Sequence, residues 1–119
     1  MVGNAVYPNG TEGRPRNWLV LVMLLSLRRG NSHGYELMKW AAAFGFQTMN
    51  PGSMYRTLRQ MENEGLCNSE WQTTSKGEPL RRRYSVTDAG EAYLAFWVKG
   101  LERYQQMVDY FLRQYSSRR

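Results

Sequence analysis

From Asn17 the chain becomes almost continuously apolar through Trp18, Leu19, Val20, Leu21, Val22, Met23, Leu24, Leu25 and Leu27. A run this dense suits a helix buried on most sides better than a one-sided surface helix. Periodicity alone does not separate it from a strand. Arg28 and Arg29 followed by Gly30 make a plausible helix stop, with cations at the last turn. A second helix is expected from Ser32 or Gly34 to about Ala43. Tyr35, Leu37, Met38 and Trp40 give it apolar content, and Gly45 breaks it. In the third helix Asn50 suits the N-cap and Pro51 the first helical position. Met54, Leu58 and Met61 recur at i, i+4 and i+7 on one face, while Ser53, Arg56 and Gln60 fall on another. Gly65 ends it.

Beyond Gly65 the period shortens. Leu66 to Thr74 reads as a strand, residues 74–79 as a turn, and Leu80 to Val86 as a return strand carrying Arg81, Arg82, Arg83 and Tyr84. Alternation puts Arg81 and Arg83 on one face and Arg82 with Tyr84 and Val86 on the other. Thr87 then caps a last helix, with Asp88 and Glu91 in its first turn. Its residues Leu94, Trp97, Leu101, Tyr104, Val108, Phe111 and Tyr115 are spaced alternately by three and four, a heptad seam. Seven large residues exceed what one face of a small core absorbs, so part of the seam is expected to pair with a second copy. The alternative is that it lies on its own domain.

Composition narrows the function. With 119 residues one domain is the natural count. Residues 1–16 read as a flexible basic arm ending in Arg14 and Arg16, residues 17–87 as a DNA-binding domain, and residues 88–119 as a dimerisation helix. Sixteen lysines and arginines against ten acids leave a net charge of +6, and thirteen of the sixteen are arginine, the side chain suited to phosphate and base edges. The sign of the charge alone also fits an acidic membrane surface. One cysteine, Cys67, and one histidine, His33, exclude an intrachain disulfide and a four-ligand Cys/His zinc site, and leave almost no material for nucleophile–base catalysis. Catalytic residues, metal ligands and cofactors are therefore expected to be none. The N-terminal stretch has no apolar segment, and the run from Trp18 to Leu25 is far shorter than the ~18 residues of a membrane span. A cytoplasmic, reduced protein without membrane insertion is expected.

Three helices, a hairpin and a further helix describe a mainly α (α+β) winged helix-turn-helix with a C-terminal dimerisation helix. In that architecture the third helix enters the DNA major groove and the hairpin wing lies on the backbone or minor groove. Ser53, Arg56 and Gln60 face the bases in this reading, since Arg and Gln make bidentate contacts to guanine and adenine. Asn50 sits at the helix N-terminus, where free N–H groups favour phosphate. Lys76, Arg81 and Arg83 are the wing's phosphate candidates; the alternative is a solvated turn. His33 reads as a capping residue and Cys67 as structural. Trp18, Trp40, Phe44, Phe46, Tyr93 and Trp97 read first as core.

Several segments resemble a known family. Ser32-His33-Gly34-Tyr35-Glu36-Leu37 looks like the hGYEL opening of the second helix in PadR-type transcriptional regulators. Residues 50–62 resemble that family's recognition helix, SPGSLYPxLxxLE. Gly65-Leu66 followed by Trp71 is similar to its first wing strand. Gly77-Glu78-Pro79 through Arg83-Tyr84 and Thr87-Asp88-Ala89-Gly90 resembles GxPRRYYxLTxxG. The match covers about residues 17–92. Arg56 stands where the family has proline, and Leu80 interrupts the Pro-Arg wing. The single short C-terminal helix resembles the smaller PadR subclass.

The resemblance implies a dimeric repressor on a palindromic operator, a Tyr55 hydroxyl that reaches phosphate rather than half-buried core, and an apolar effector site between the first and last helices, at Trp18 and Trp97. Phe44-Gly45-Phe46-Gln47 and Leu101-Glu102-Arg103-Tyr104-Gln105-Gln106-Met107 resemble the PadR-type repressors responsive to poly-β-hydroxybutyrate. The alternative of another class is a granule-surface or protein-interaction module using the aromatic seam of Leu94, Trp97, Leu101, Tyr104, Val108 and Phe111.

Overall fold

The computed structural model describes residues 16–73, 75–77 and 81–117. Of the arm expected over residues 1–16, only the exposed Arg16 falls within this range, and parts of the expected wing turn and Leu80 also lie outside it. The elements are α1 (Trp18–Arg28), α2 (Gly34–Ala42), α3 (Pro51–Asn63), β1 (Cys67–Gln72), β2 (Arg81–Val86) and α4 (Asp88–Ser116). This is the winged helix expected from the pattern, mostly helical with one small sheet.

The dense apolar run folds as α1 because the core wraps most of it. Leu21 to Leu24, Ser26 and Leu27 are buried, and Trp18, Leu19, Val20 and Leu25 pack at the margin. Buried Ser26 is satisfied through its hydroxyl, which accepts from Asn31 Nδ2 at 3.0 Å. Gly30, at φ 104°, takes the left-handed conformation that ends the helix. Leu37 from α2 and the stripe Met54, Leu58 and Met61 from α3, all fully buried, share one core cluster with α1. The expected face of α3 is thus the face that meets the core.

The wing is an antiparallel pair in the register Cys67↔Val86 through Trp71↔Arg82 to Gln72↔Arg81. It is pinned at its base. Tyr84 donates its backbone N–H to Ser32 O at 2.8 Å, tying β2 to the start of α2. Thr87 accepts from Gly90 N at 2.9 Å as the cap of α4, and its hydroxyl donates to Gly65 O at 2.6 Å. Gly90 lies so close to Leu66 that an added Cβ would strike the Leu66 carbonyl oxygen. The absent side chain lets α4 start directly on the base of the wing.

The 29 residues of α4 divide into two halves. Leu94 is buried in the core of its own domain, and Trp97 and Leu101 pack against that core. Leu94, Trp97 and Leu101, expected among the dimerisation residues, thus lie on the domain's own core, and the first turns of α4 supply a wall to α1. Tyr104 and Val108 are half-buried, whereas Phe111 and Tyr115 are 66% and 83% exposed. Met107, Tyr110 and Leu112 join them on the exposed distal half. Arg28 of α1 and Glu91 of α4 pair at 2.9 Å on the exposed side of the helix contact.

Candidate nucleic-acid interface

The N-terminus of α3 is built by its cap. Asn50 Oδ1 accepts from Ser53 N at 2.8 Å, so the Asn50 oxygen is engaged in holding the helix. Ser53 is half-buried, and its hydroxyl accepts from Arg56 Nη2 at 3.3 Å. Arg56 and Gln60 are both exposed on the side away from Met54, Leu58 and Met61. Gln60 Nε2 donates to Glu64 Oε2 at 2.7 Å, so one donor of the predicted base-reading pair is bound within the helix. An exposed contact of this kind is exchangeable for a DNA partner at small cost.

Tyr55 is 41% exposed, and its ring end rests over Gly34 at the start of α2, where an added Cβ would strike the hydroxyl. Its ring is partly covered by the start of α2, and the residue lines an open cleft. Glu36 fixes the same helix start by accepting from Ser32 N at 2.9 Å and His33 N at 3.2 Å. These two backbone donors hold its carboxyl below the usual glutamate range, with charges on His33 and Arg81 adding to the effect. His33 occupies the N-cap position expected of it, and its Nε2 lies 2.8 Å from Gln72 Oε1, linking α2 to the wing.

The cleft has a volume of about 700 Å³ and lies between α2, α3 and the wing. Arg59, Arg81 and Arg82 line it, with aromatic walls from Tyr35, Tyr55, Trp71 and Tyr84. Arg81 and Arg83 are exposed as alternation requires, but only Arg81 of that pair lines the cleft. Arg82 lies 4.5 Å above the Trp71 ring, directly across the ladder. Lys76 is exposed on the turn beyond. Tyr35, Arg59, Trp71 and Arg82 were not among the residues expected at the DNA interface. Finding the Trp71–Arg82 pair required the strand register, and finding Arg59 required the angle of α3 to the wing.

Cys67 is buried beneath the wing, and burial, with the Glu62 charge adding, pushes its thiol up to about 11. It is therefore a protonated core thiol at neutral pH. Trp18 donates its indole N–H to Phe44 O at 3.3 Å and meets the Phe44 ring edge-on. Trp97 stands edge-on to the exposed Phe96. Among the described residues no group of three or more His, Cys, Asp or Glu could hold a metal ion, and no helix is long and apolar enough to cross a membrane.

The fold and these positions can be set beside known proteins. The Mycobacterium tuberculosis protein named "Probable transcriptional regulator Rv1176c" is 36% identical over 78 residues, 64% of this chain and 41% of that relative. The chain therefore spans less than half the length of that relative. The crystal structure of a PadR-like transcriptional regulator from Bacillus cereus matches with a TM-score of 0.66 at 25% identity, covering 81% of this chain and 91% of the other. Bacillus subtilis PadR in complex with operator DNA matches with a TM-score of 0.58 at 21% identity, covering 68% of this chain and 46% of the other, a likeness of fold. The model of the "Transcriptional regulator PadR-like family" matches residues 23–96, more than half of the sequence, and the chain belongs to that family.

Proposed function

We propose that the protein is a homodimeric, cytoplasmic transcriptional repressor that binds a palindromic operator. Residues 17–87 bind DNA in this reading and residues 88–119 hold two copies together. The observation that carries it is the shared cleft: α3 and the wing present Arg59, Arg81 and Arg82 to one space, with the exposed Arg56 and Gln60 on the same helix as Arg59. Arg56 and Gln60 read bases, with Ser53 and the Asn50-capped helix end beside them. Lys76, Arg81 and Arg83 neutralise phosphate. The family membership supports this reading, and so does the operator DNA held by the Bacillus subtilis relative of the same fold.

The distal half of α4 supports the dimer. Val108, Phe111 and Tyr115 continue the heptad spacing beyond the point where the domain's own core ends. Phe111→Glu with Tyr115→Glu should convert a dimer to a monomer in light scattering at micromolar concentration. A wild-type monomer under the same conditions overturns this part of the reading.

Selection from a randomised duplex library tests DNA recognition. Enrichment of a palindrome is the expected result, and no enrichment overturns it. Arg56→Ala and Gln60→Ala should each cost ~1–3 kcal/mol of discrimination against random DNA, the worth of a bidentate base contact. Arg81→Ala and Arg83→Ala should weaken both kinds of DNA alike and flatten the salt dependence.

An apolar effector, with poly-β-hydroxybutyrate as the candidate, completes the reading. Trp97 supports it, being half-buried beside exposed Phe96 where the domain core gives way to the distal helix. An effector shifts DNA affinity only if it distinguishes two arrangements of the dimer. Amorphous polymer granules should release wild-type protein from its selected DNA and spare Trp97→Ala. Unchanged occupancy at granule levels that adsorb the protein counts against the effector.

A further inference from the structure

The wing carries a tryptophan whose exposure the core does not explain. Trp71 is 62% exposed, whereas the residues of β1 and β2 that serve the core, Cys67 and Tyr84, are buried. Its ring instead carries the Arg82 guanidinium at 4.5 Å, from the residue directly across the ladder. Strand alternation puts Arg82 on the face of buried Tyr84, where a free arginine side chain would have many rotamers to choose among. Stacking on the indole removes most of that choice. A guanidinium held over a ring face can keep N–H donors free at its edge in the planar fork that suits phosphate oxygens.

The surroundings say what those donors meet. Arg82 and Trp71 line the cleft with Arg59 of α3, Arg81 of β2 and Tyr55. The acid in this space, Glu62, accepts from the Ser69 hydroxyl at 3.0 and 2.9 Å. A cleft with three guanidinium groups, walled by aromatic rings and open to solvent, fits one strand of sugar-phosphate backbone passing between α3 and the wing.

We propose that Trp71 is a positioning residue that holds Arg82 ready to grip a backbone phosphate of a DNA strand lying in the cleft between α3 and the wing. The proposal rests on the DNA-binding reading and sharpens it: Arg82 joins Arg81 inside the cleft, in addition to the exposed Arg83 outside its lining. The advantage of the stack is order present before binding, so less side-chain freedom is lost when DNA arrives.

Fluorescence anisotropy of a random-sequence 30-base-pair duplex, titrated from about 50 to 200 mM salt, tests it, because each phosphate contact contributes ~0.9 to the slope of log affinity against log salt. Arg82→Ala should lower the slope by about that amount. Trp71→Ala should weaken binding roughly twofold to fivefold, the scale of an exposed cation–π contact, and lower the slope in the same sense. Trp71→Phe, which keeps a ring under the guanidinium, should restore most of both.

The double variant Trp71→Ala with Arg82→Ala should bind no worse than Arg82→Ala alone, because the two act as one unit. Trp71→Ala with wild-type affinity and slope overturns the proposal, and so does a loss of affinity at unchanged slope. Additive losses in the double variant do the same. Thermal melting of each variant keeps a folding defect apart from these outcomes, and Trp71→Phe carries the test should Trp71→Ala unfold. Wild-type protein that fails to bind the duplex at the lowest salt removes the DNA-binding reading itself, which a failure confined to the Trp71 variants does not.

Discussion

The winged-helix head and the distal half of α4 use similar residues to opposite ends. In the head, Met23, Leu24, Leu37, Met54, Leu58 and Met61 are sealed from water on all sides. On distal α4, Met107, Tyr110, Phe111 and Leu112 are each more than half exposed along a helix that leaves its own core behind. The molecule is consequently 68 Å long but only 29 by 25 Å across. The difference teaches that apolar spacing reports a helix face and leaves open what covers it. A hydrophobic stripe that meets α1 becomes core, and the same stripe further along the helix becomes a surface.

That contrast can be broken from either side. Leu24→Ala removes a fully buried side chain and should cost the head about 2–5 kcal/mol in urea unfolding, at any protein concentration. Phe111→Ala should cost little in dilute solution, and its cost should grow with concentration if the distal helix is covered by a second copy. A concentration-independent loss of the Leu24→Ala size at Phe111 would erase the distinction between the two regions.

The junction between them is the next place to press. Gly90→Ala drives a methyl group toward the Leu66 carbonyl, and shifting α4 off the wing base should cost about 1–3 kcal/mol. Thr87→Ala removes both the cap bond to Gly90 and the donation to Gly65, for about 1 kcal/mol by thermal melting. If the head melts independently of α4, neither change should move the transition of α2 and α3.

The smallest expected effect lies within the head. The Glu36 carboxyl titrates lower when folded than its ordinary 4.5, held by the Ser32 and His33 amides. Its contribution is therefore present above the unfolded pKa and is lost as pH falls through the lowered folded value. Glu36→Gln should reduce stability by a few tenths of a kcal/mol at pH 7, the scale of an exposed contact, and the difference from wild type should shrink as pH falls below 4.5 and through the lowered folded value. A gap that does not shrink in acid would show that the carboxylate charge is not what Glu36 contributes.

Much of this molecule was legible because local chemistry decided it. Asn50-Pro51 starts α3, Thr87 caps α4, Gly30 and Gly65 take positive φ after their helices, and the Met54, Leu58, Met61 stripe turns inward. Each depends on neighbours within one or two turns, so residue type and spacing suffice. The place of His33 at the N-cap of α2 was legible for the same reason.

Tertiary structure decided where those pieces meet. The seam from Leu94 to Tyr115 is continuous in spacing, yet Leu94 is core and Tyr115 is surface, because α1 is only 11 residues long and covers only the first turns of α4. Strand register set Trp71 against Arg82, and the angle between α3 and the wing brought Arg59 to the same cleft. These are long-range facts: a period of two fixes which residues share a face of one strand, while the partner opposite depends on pairing that no single strand encodes. Local residue chemistry specified the elements, their caps and their apolar faces; packing alone decided which arginines share a cleft and which half of the last helix stays exposed.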